Sequence, residues 1–362
     1  MSESSRILVV DDSPENIQIL AEALRDDYAV IAATNGYKAL QLAKRTPRPD
    51  IILLDVVMPG IDGFEVCARL KAEADTKDIP VVFVTALSDA GNEAEGLAVG
   101  AVDYITKPIN ACLVKARVKN HLELKRHQDH LQELVAERTR ELKLTQEVTI
   151  EAMGALAEYR DPETGGHIRR TQNYVRALAT QVSLNPKYAS FLDDRAIELL
   201  YQSAPLHDIG KVGIRDEILL KPGKLTESEF EEMKRHAELG RDAINGLESR
   251  LGHNSFLRYA REIAETHQEK WDGTGYPYGL KEDEIPISGR LMAIADVYDA
   301  LISKRVYKPP LPHSEAVRIV AEGKGSHFDP DMVDAFLEIQ DQFRAIALEF
   351  FDYEEEAQTL KS

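Results

Sequence analysis

Cysteine and tryptophan are scarce in this chain, which has two cysteines and one tryptophan among 362 residues. Cys67 and Cys112 are too few for a structural zinc pattern or a disulfide framework, so we expect reduced thiols, as in a cytosol. Long apolar runs are missing as well. None approaches the roughly 18 residues that a membrane helix needs, and the start, MSESSR, lacks the apolar segment of a secretory signal. These absences predict a cytoplasmic protein without membrane insertion.

Positive charge is also in deficit. The chain has 44 lysines and arginines against 62 aspartates and glutamates, and its formal net charge is −18. An acidic surface repels phosphate backbones, so we expect no binding to a nucleic-acid polymer. A small anionic substrate is compatible with this charge, because a bound metal ion inverts the local field. The length predicts two domains or three.

The first part of the chain, residues 6–107, alternates short apolar runs with amphipathic stretches. The apolar runs are RILVV, YAVIAA, DIILLD and VVFVTA. Uniformly apolar strands separated by helices predict a parallel sheet covered on both faces, in a doubly wound α/β domain. The predicted helices cover 14–25, 37–45, 62–73 and 90–99.

Polar residues stand where these predicted strands end, which is where the active residues of such sheets lie. They are Asp11, Asp12, Asp55, Thr85 and Lys107. Three carboxylates at one edge repel one another unless a hard cation lies between them, and Mg²⁺ prefers such oxygen ligands. A carboxylate beside that ion can attack a phosphoryl group and become an aspartyl phosphate. Lys107 and Thr85 could then contact the phosphoryl oxygens.

The motifs VVDD, LLDVVMPGIDG, VTA and YITKP make residues 5–122 resemble a response-regulator receiver domain, which has a flavodoxin-like fold. The resemblance implies phosphorylation of Asp55 by a sensor histidine kinase. It also implies Mg²⁺ held by Asp11, Asp12 and Asp55, and switching through Thr85 and Tyr104.

Residues 123–150 are dominated by helix formers and predict a connecting helix. Some of its positions partly fit a seven-residue seam. They are Leu124, Leu131, Val135, Leu142 and Thr149. The seam predicts a coiled coil that pairs two protomers as a homodimer, and the alternative is a charged spacer helix packed on its own chain. A continuous helix could carry a shift from the first domain to the next domain of the chain.

Beyond the connecting helix the apolar periodicity is almost entirely helical. It predicts an all-α bundle over 151–345, followed by an acidic tail at 346–362. The predicted helices cover 168–183, 190–205, 226–247, 254–266, 287–302 and 329–342.

Histidines and carboxylates recur in this bundle at spacings that suit metal ions. The adjacent pair His207-Asp208 brings an imidazole and a carboxylate within reach of one ion, and the second carboxylate oxygen can bridge to another. Asp296 and Asp299, three apart, share one helical face. Metal pairs with such donors activate water and clamp the oxygens of an in-line phosphoryl displacement. Mixed imidazole and carboxylate ligands suit Fe, Mn, Zn or Ni better than Ca.

The motifs HDIGK, HQEKWDGTGYP, ADVYDAL and FDP make this bundle resemble an HD-GYP domain, a branch of the HD phosphohydrolases. The resemblance implies two metal ions, with Asp208 shared between them. The first ion's ligands are His167, His207, Asp208 and Asp296, and the second ion's are Asp208, His236 and His267. Glu163 matches a residue that supports a third ion in some members. The residues implied near the substrate's phosphates and bases are Lys211, Asp299, Arg305 and Lys308.

The resemblance further implies hydrolysis of cyclic di-GMP to linear pGpG and then GMP, with Fe or Mn favoured. A water held by Asp208 attacks in line, and Lys211 or a metal-bound water helps the 3′ oxygen to leave. Phosphorylation of Asp55 would alter this activity by shifting the connecting helix, and diguanylate-cyclase proteins are further partners. The pair of domains is typical of the bacterial cytosol.

Two positions depart from the family pattern: Gln268, where the family has histidine, and Val306, where it has proline. An amide oxygen is a poorer ligand than imidazole for a transition metal, so Gln268 puts the number of metal ions in question. Other interpretations stay open. One is hydrolysis of a mixed GMP-AMP cyclic dinucleotide or of pGpG, and another is a non-hydrolytic adaptor that binds nucleotide or a cyclase.

Overall fold

The computed structural model describes residues 4–86, 96–158, 165–251, 256–304 and 309–361, with only the backbone described at 158, 165 and 248–251. The chain divides into two compact units, Met1–Arg140 and Glu141–Ser362. Each unit is built around its own core of buried apolar side chains.

The first unit contains a parallel sheet of five strands in the order β2-β1-β3-β4-β5. The strands are β1 Arg6–Val10, β2 Ala29–Ala33, β3 Ile51–Asp55, β4 Val81–Thr85 and β5 Asp103–Thr106. Helices α1 Pro14–Leu24, α2 Gly36–Ala43 and α3 Gly63–Ala72 lie between them. The doubly wound parallel fold predicted from the apolar runs is therefore confirmed. The predicted helix at 90–99 falls largely outside the described residues.

Alternation along the strands explains why both faces of the sheet are covered. In β3, Ile52 and Leu54 point into the core beside α2 and α3, whereas Ile51 and Leu53 point into the core beside α1. A strand buried on both faces is uniformly apolar, which is why its sequence shows no polar alternation. The fifth strand was not predicted, because it has only four residues at the edge of the sheet and both its ends are polar.

The connecting helix, α4 Ala111–Glu158, is 48 residues long and begins well before the predicted residue 123. Its first turns bury Val114, Val118 and Leu122 against the sheet. Further along, Leu131 is 59% exposed and Leu142 is 69% exposed in the single chain. Pairing of two protomers through these positions stays a prediction, which light scattering of the intact protein would test.

The second unit is a bundle of helices, as the periodicity predicted. Its helices are α5 Gly165–Ser183, α6 Asp194–Ser203, α7 Asp216–Leu219, α8 Glu227–Lys234, α9 His236–Leu251, α10 Phe256–Thr266, α11 Ile287–Ile302, α12 His313–Glu322, α13 Pro330–Glu338, α14 Gln340–Glu349 and α15 Glu354–Lys361. Among the described residues, no helix combines the length and the apolar character needed to cross a bilayer.

Three sequence predictions differ from these helices. The predicted helix 226–247 is divided at Arg235, where the Met233 carbonyl accepts a bond from the His236 ring. No glycine or proline marks this break in the sequence. The predicted helix 329–342 is divided at Ile339. The segment predicted as an acidic tail contains the end of α14 and the whole of α15, whose Ala357 and Leu360 are buried.

Candidate metal centre and phosphoacceptor site

The first candidate site lies at the carboxyl ends of β1 and β3, where the strand order brings three carboxylates together. Oxygens of Asp11, Asp12 and Asp55 lie within 4.8 Å of one another. The Lys107 ammonium group binds Asp11 Oδ2 at 2.9 Å and Asp55 Oδ2 at 2.8 Å. Asn16, which the sequence analysis missed, donates to Asp11 Oδ1 at 3.0 Å. Three carboxylates against one lysine leave negative charge that suits a hard cation.

Two opposing effects act on the pKa of Asp55. Burial raises the pKa of Asp55, although Lys107 opposes the shift through a hydrogen bond and its charge. Thr85 ends β4 and is buried, and its carbonyl accepts from the backbone N–H of Lys107 at 2.8 Å. Tyr104 lies on the neighbouring strand β5, with the Arg117 guanidinium 6.0 Å from its ring centre. Asp11, Asp12, Asp55, Thr85 and Lys107 thus lie at one edge of the sheet, whereas Tyr104 lies two residues before the end of β5 and its switch role stays a prediction.

The second candidate site is built from side chains of five separate segments of the helical unit. His207 and Asp208 lie between two short 3₁₀ turns, Ala204–Leu206 and Ile209–Gly213. The other candidate ligands come from the surrounding helices. His167 lies in α5, His236 begins α9, His267 follows α10 and Asp296 lies in α11.

These side chains form two groups that meet at Asp208. In the first group, His207 Nε2 lies 3.4 Å from His167 Nε2, which lies 3.9 Å from Asp296 Oδ1. Asp208 Oδ2 lies 3.3 Å from His207 Nε2. In the second group, Asp208 Oδ1 lies 3.4 Å from His236 Nε2 and 3.5 Å from His267 Nε2. One carboxylate therefore faces both groups, each oxygen toward a different one.

The outer nitrogen of each imidazole is already hydrogen-bonded, and this fixes how the ring presents its inner nitrogen. His207 Nδ1 donates to the Ala204 carbonyl at 3.0 Å, and His236 Nδ1 donates to the Met233 carbonyl at 2.8 Å. The other two rings donate to the Ile263 carbonyl, at 3.0 Å from His267, and to the Asp299 carboxylate, at 2.8 Å from His167. A ring protonated at Nδ1 leaves its Nε2 lone pair free for a metal ion. In their neutral forms, all four rings present the Nε2 lone pair to the centre.

Asp208 Oδ1 is buried and has no hydrogen-bond partner among the described residues. A buried carboxylate oxygen without a partner is costly, and a cation would satisfy it. Burial lowers the pKa of His236 to about 4, which keeps that imidazole neutral, as a ligand must be. Although burial opposes it, Asp208 raises the pKa of His207 to about 9. The Asp208 and Asp296 carboxylates therefore favour positive charge beside them. The imidazole and carboxylate donors together fit divalent metal ions.

Several predicted residues take other places. Lys211 Nζ lies 2.7 Å from Asp208 Oδ2, beside the shared carboxylate. Asp299, which the resemblance puts near the substrate, is only 1% exposed and accepts bonds from His167 and Arg170. These contacts make Asp299 a partner of His167, and a place near the substrate stays a prediction. The predictions at Glu163, Arg305 and Lys308 lie outside the described residues.

The glycine-rich loop after His267 is tied down by Glu269, whose role the sequence did not reveal. The Glu269 carboxylate accepts from the backbone N–H groups of Tyr278 at 2.8 Å and Leu280 at 3.0 Å. The loop thereby holds the Tyr276 ring edge-on to the His236 ring, with the ring centres 6.1 Å apart. Tyr276 thus forms one wall beside the second ligand group.

Gly210 allows the turn after Asp208 to contact the start of α9. A Cβ built at Gly210 would overlap the His236 carbonyl oxygen and lie 2.4 Å from Gly240 N, so neither neighbour could stay in place. We expect Gly210→Ala to lower the free energy of unfolding by about 1–3 kcal/mol, the usual cost of overpacking. Urea unfolding measures this change. Gly246→Ala is the matched control, because Gly246 lies in α9 with open space around it. Alanine there should raise stability by up to about 1 kcal/mol, and equal losses in both variants would contradict the packing argument.

Comparison with known proteins assigns a domain family to each of the two units. The family model for the response regulator receiver domain matches residues 7–119, and the model for the HD domain matches residues 151–332. A probable cyclic di-GMP phosphodiesterase of Vibrio cholerae is 48% identical over 356 residues, covering 96% of this chain and 80% of that protein.

Two further relatives differ in what their names say. The cyclic di-GMP phosphodiesterase response regulator RpfG of Xanthomonas campestris is 32% identical over 95% of this chain and 90% of its own length. The 3′3′-cGAMP-specific phosphodiesterase 2 of Vibrio cholerae is 41% identical over 57% of this chain and 37% of its own length. The chain therefore belongs to the family of response regulators that join an N-terminal receiver domain to a C-terminal HD domain of the HD-GYP type.

Proposed function

We propose that this protein is a metal-dependent phosphodiesterase that hydrolyses cyclic di-GMP to pGpG and then to GMP, under the control of its receiver domain. The observation that carries the proposal is the pair of ligand groups that share Asp208. A shared carboxylate keeps two cations close enough to act on one phosphate group. Relatives whose names describe cyclic di-GMP phosphodiesterases support the choice of substrate.

The proposed metal ligands are those whose donor atoms converge. His167, His207 and Asp296 would hold one ion, His236 and His267 would hold the other, and Asp208 would contact both. Two divalent ions would lower the pKa of a water and stabilise charge on the phosphoryl oxygens. Mixed imidazole and carboxylate donors favour Fe or Mn over Ca.

The protein's own groups would then orient the reaction. Lys211 Nζ lies 2.7 Å from Asp208 Oδ2 and could donate a proton to the leaving 3′ oxygen of a phosphodiester bound there. The Tyr276 wall limits the access of water from one side. In the receiver domain, Asp55 would accept a phosphoryl group from a sensor histidine kinase, with Mg²⁺ held by Asp11, Asp12 and Asp55.

Turnover assays test this function. The protein, purified without oxygen and freed of metal with a chelator, is supplied with Fe²⁺ or Mn²⁺. Cyclic di-GMP, 3′3′-cGAMP and pGpG are then compared at equal concentration. We expect pGpG and GMP from cyclic di-GMP only after metal is restored. Faster hydrolysis of 3′3′-cGAMP would favour the second candidate substrate, which the cGAMP-specific relative supports. Bound metal without turnover of any of the three would contradict the proposal.

A further inference from the structure

The helix that carries His167 begins against a segment far away in the sequence. Asp352 Oδ1 accepts from the backbone N–H of Gly166 at 3.0 Å, in the first turn of α5. A carboxylate at this end of a helix satisfies an otherwise free N–H group and interacts favourably with the helix dipole. The matched HD domain ends at residue 332, so Asp352 lies outside it.

The same carboxylate continues into a buried chain of charges. Asp352 Oδ2 accepts from Arg170 Nη1 at 2.8 Å. Arg170 also binds Asp299 with two nitrogens, Nε to Oδ1 at 2.7 Å and Nη2 to Oδ2 at 3.0 Å. Asp299 Oδ2 in turn accepts from His167 Nδ1 at 2.8 Å. The contacts run without a gap from Asp352 to the candidate ligand His167.

Burial makes each member of this chain depend on the next. Arg170 is 2% exposed, Asp299 is 1% exposed and His167 is 3% exposed, so solvent is largely excluded from their polar groups. The Arg170 guanidinium lies between the carboxylates of Asp299 and Asp352. It balances the charge of Asp299 only while Arg170 stays in place. Removing one partner of a buried ion pair leaves the other charge uncompensated. The position of Arg170 therefore determines that of Asp299, and Asp299 determines the orientation of the His167 ring.

Two further features hold the Asp352 carboxylate in contact with Arg170. The buried Glu356 carboxylate accepts from the backbone N–H of Asp352 at 3.1 Å and from that of Lys304 at 2.7 Å. Gly166 leaves the necessary space, because a Cβ there would lie 2.5 Å from Asp352 Oδ2 and 2.6 Å from the Phe350 carbonyl oxygen. Gly166, the residue directly before His167, thus accommodates the later segment.

We infer that Asp352 is a positioning residue for the metal centre, acting on His167 through Arg170 and Asp299. The inference rests on the proposed metal centre. It gives a role in metal binding to a segment beyond the matched domain. It also predicts that loss of Asp352 lowers the metal affinity of the group containing His167 more than that of the other group. Loss of an outer partner of a metal ligand typically weakens metal binding about 10–100-fold. Asp352 is two steps further out than Asp299, so we expect the lower end, about tenfold.

Mn²⁺ titration of the full-length chain, in competition with a chelator, measures the affinity of each site. Asp352→Asn should weaken one site about tenfold and leave the other within about twofold of the wild type. Gly166→Ala should weaken the same site, because its Cβ would displace both the Asp352 carboxylate and the Arg170 guanidinium without removing either charge. Glu355→Gln is the matched control, because Glu355 lies on the same segment as Asp352 and its carboxylate binds Lys304 Nζ. Both metal affinities should stay unchanged in this variant.

Thermal unfolding of the metal-free variants separates positioning from general damage. Unchanged affinities in Asp352→Asn would overturn the inference. So would equal weakening of both sites together with a lower melting temperature of the metal-free protein, since that is the result of a merely structural role. Failure of the wild type to bind Mn²⁺ would instead refute the proposed metal centre and the inference with it.

Discussion

Asp208→Asn will lower the rate of cyclic di-GMP hydrolysis by more than about 100-fold. Removing even an outer partner of a metal ligand lowers metal affinity or activity about 10–100-fold. The loss at Asp208 should be larger, because Asp208 faces both ligand groups directly. Asparagine preserves the shape of the side chain, but it replaces one oxygen with an NH₂ group that cannot bind a cation. Steady-state turnover with saturating Mn²⁺ measures the loss, and metal analysis should find less than the wild-type content.

Asp331→Asn is the control for this result. Asp331 is a carboxylate of the same unit, paired with Lys187, and belongs to neither ligand group. Its variant should keep wild-type turnover. Wild-type turnover in Asp208→Asn would contradict the assignment of Asp208 as the shared ligand, whatever metal the protein contains.

Asp55→Asn will abolish the incorporation of phosphate from a small phosphodonor such as acetyl phosphate. Of the three clustered carboxylates, that of Asp55 lies at the end of β3. Its Oδ2 lies 2.8 Å from Lys107 Nζ. A carboxamide is too weak a nucleophile to form the acyl phosphate, so we expect no labelled protein above background. Phosphate-affinity electrophoresis measures the labelled fraction.

The matched variant is Asp62→Asn, which changes an aspartate of the same unit that caps α3 through Glu65 N at 2.8 Å. It should be labelled like the wild type. Label retained in Asp55→Asn would move the acceptor to another carboxylate. Beryllofluoride treatment of the wild type then tests control, because an unchanged rate of hydrolysis would contradict regulation by the receiver domain.

Local patterns in the sequence predicted four of the five strands of the first unit. Its strands are apolar throughout because both faces of the sheet are buried, and the strand order brings Asp11, Asp55 and Lys107 to one edge. Doubly wound sheets bring strand ends together in this way, so a linear pattern predicts a three-dimensional site. The short edge strand Asp103–Thr106 escaped because it lacks that apolar pattern.

In the helical unit, the sequence indicated which residues converge but not what holds them. The break at Arg235 depends on a bond between a histidine ring and a carbonyl, which no turn residue announces. The contact between Arg170 and Asp299 spans 129 residues, and that between Arg170 and Asp352 spans 182. Such pairings arise from packing of distant helices and leave no periodic trace along the chain. The family resemblance therefore implies Asp299 near the substrate but does not reveal the partners that enclose it.

The bonds to the four imidazole rings also determine how the metal centre can change by mutation. Three rings are oriented by the main-chain carbonyls of Ala204, Met233 and Ile263, and a carbonyl persists whatever side chain its residue carries. His167 alone among the four is oriented by a side chain, Asp299. Substitutions at Asp299 and its neighbours can thus change the hydrogen bond that orients His167. Substitutions at Ala204, Met233 or Ile263 leave the carbonyl that orients each of the other rings in place. One metal site would evolve in strength or selectivity while the other stays constant.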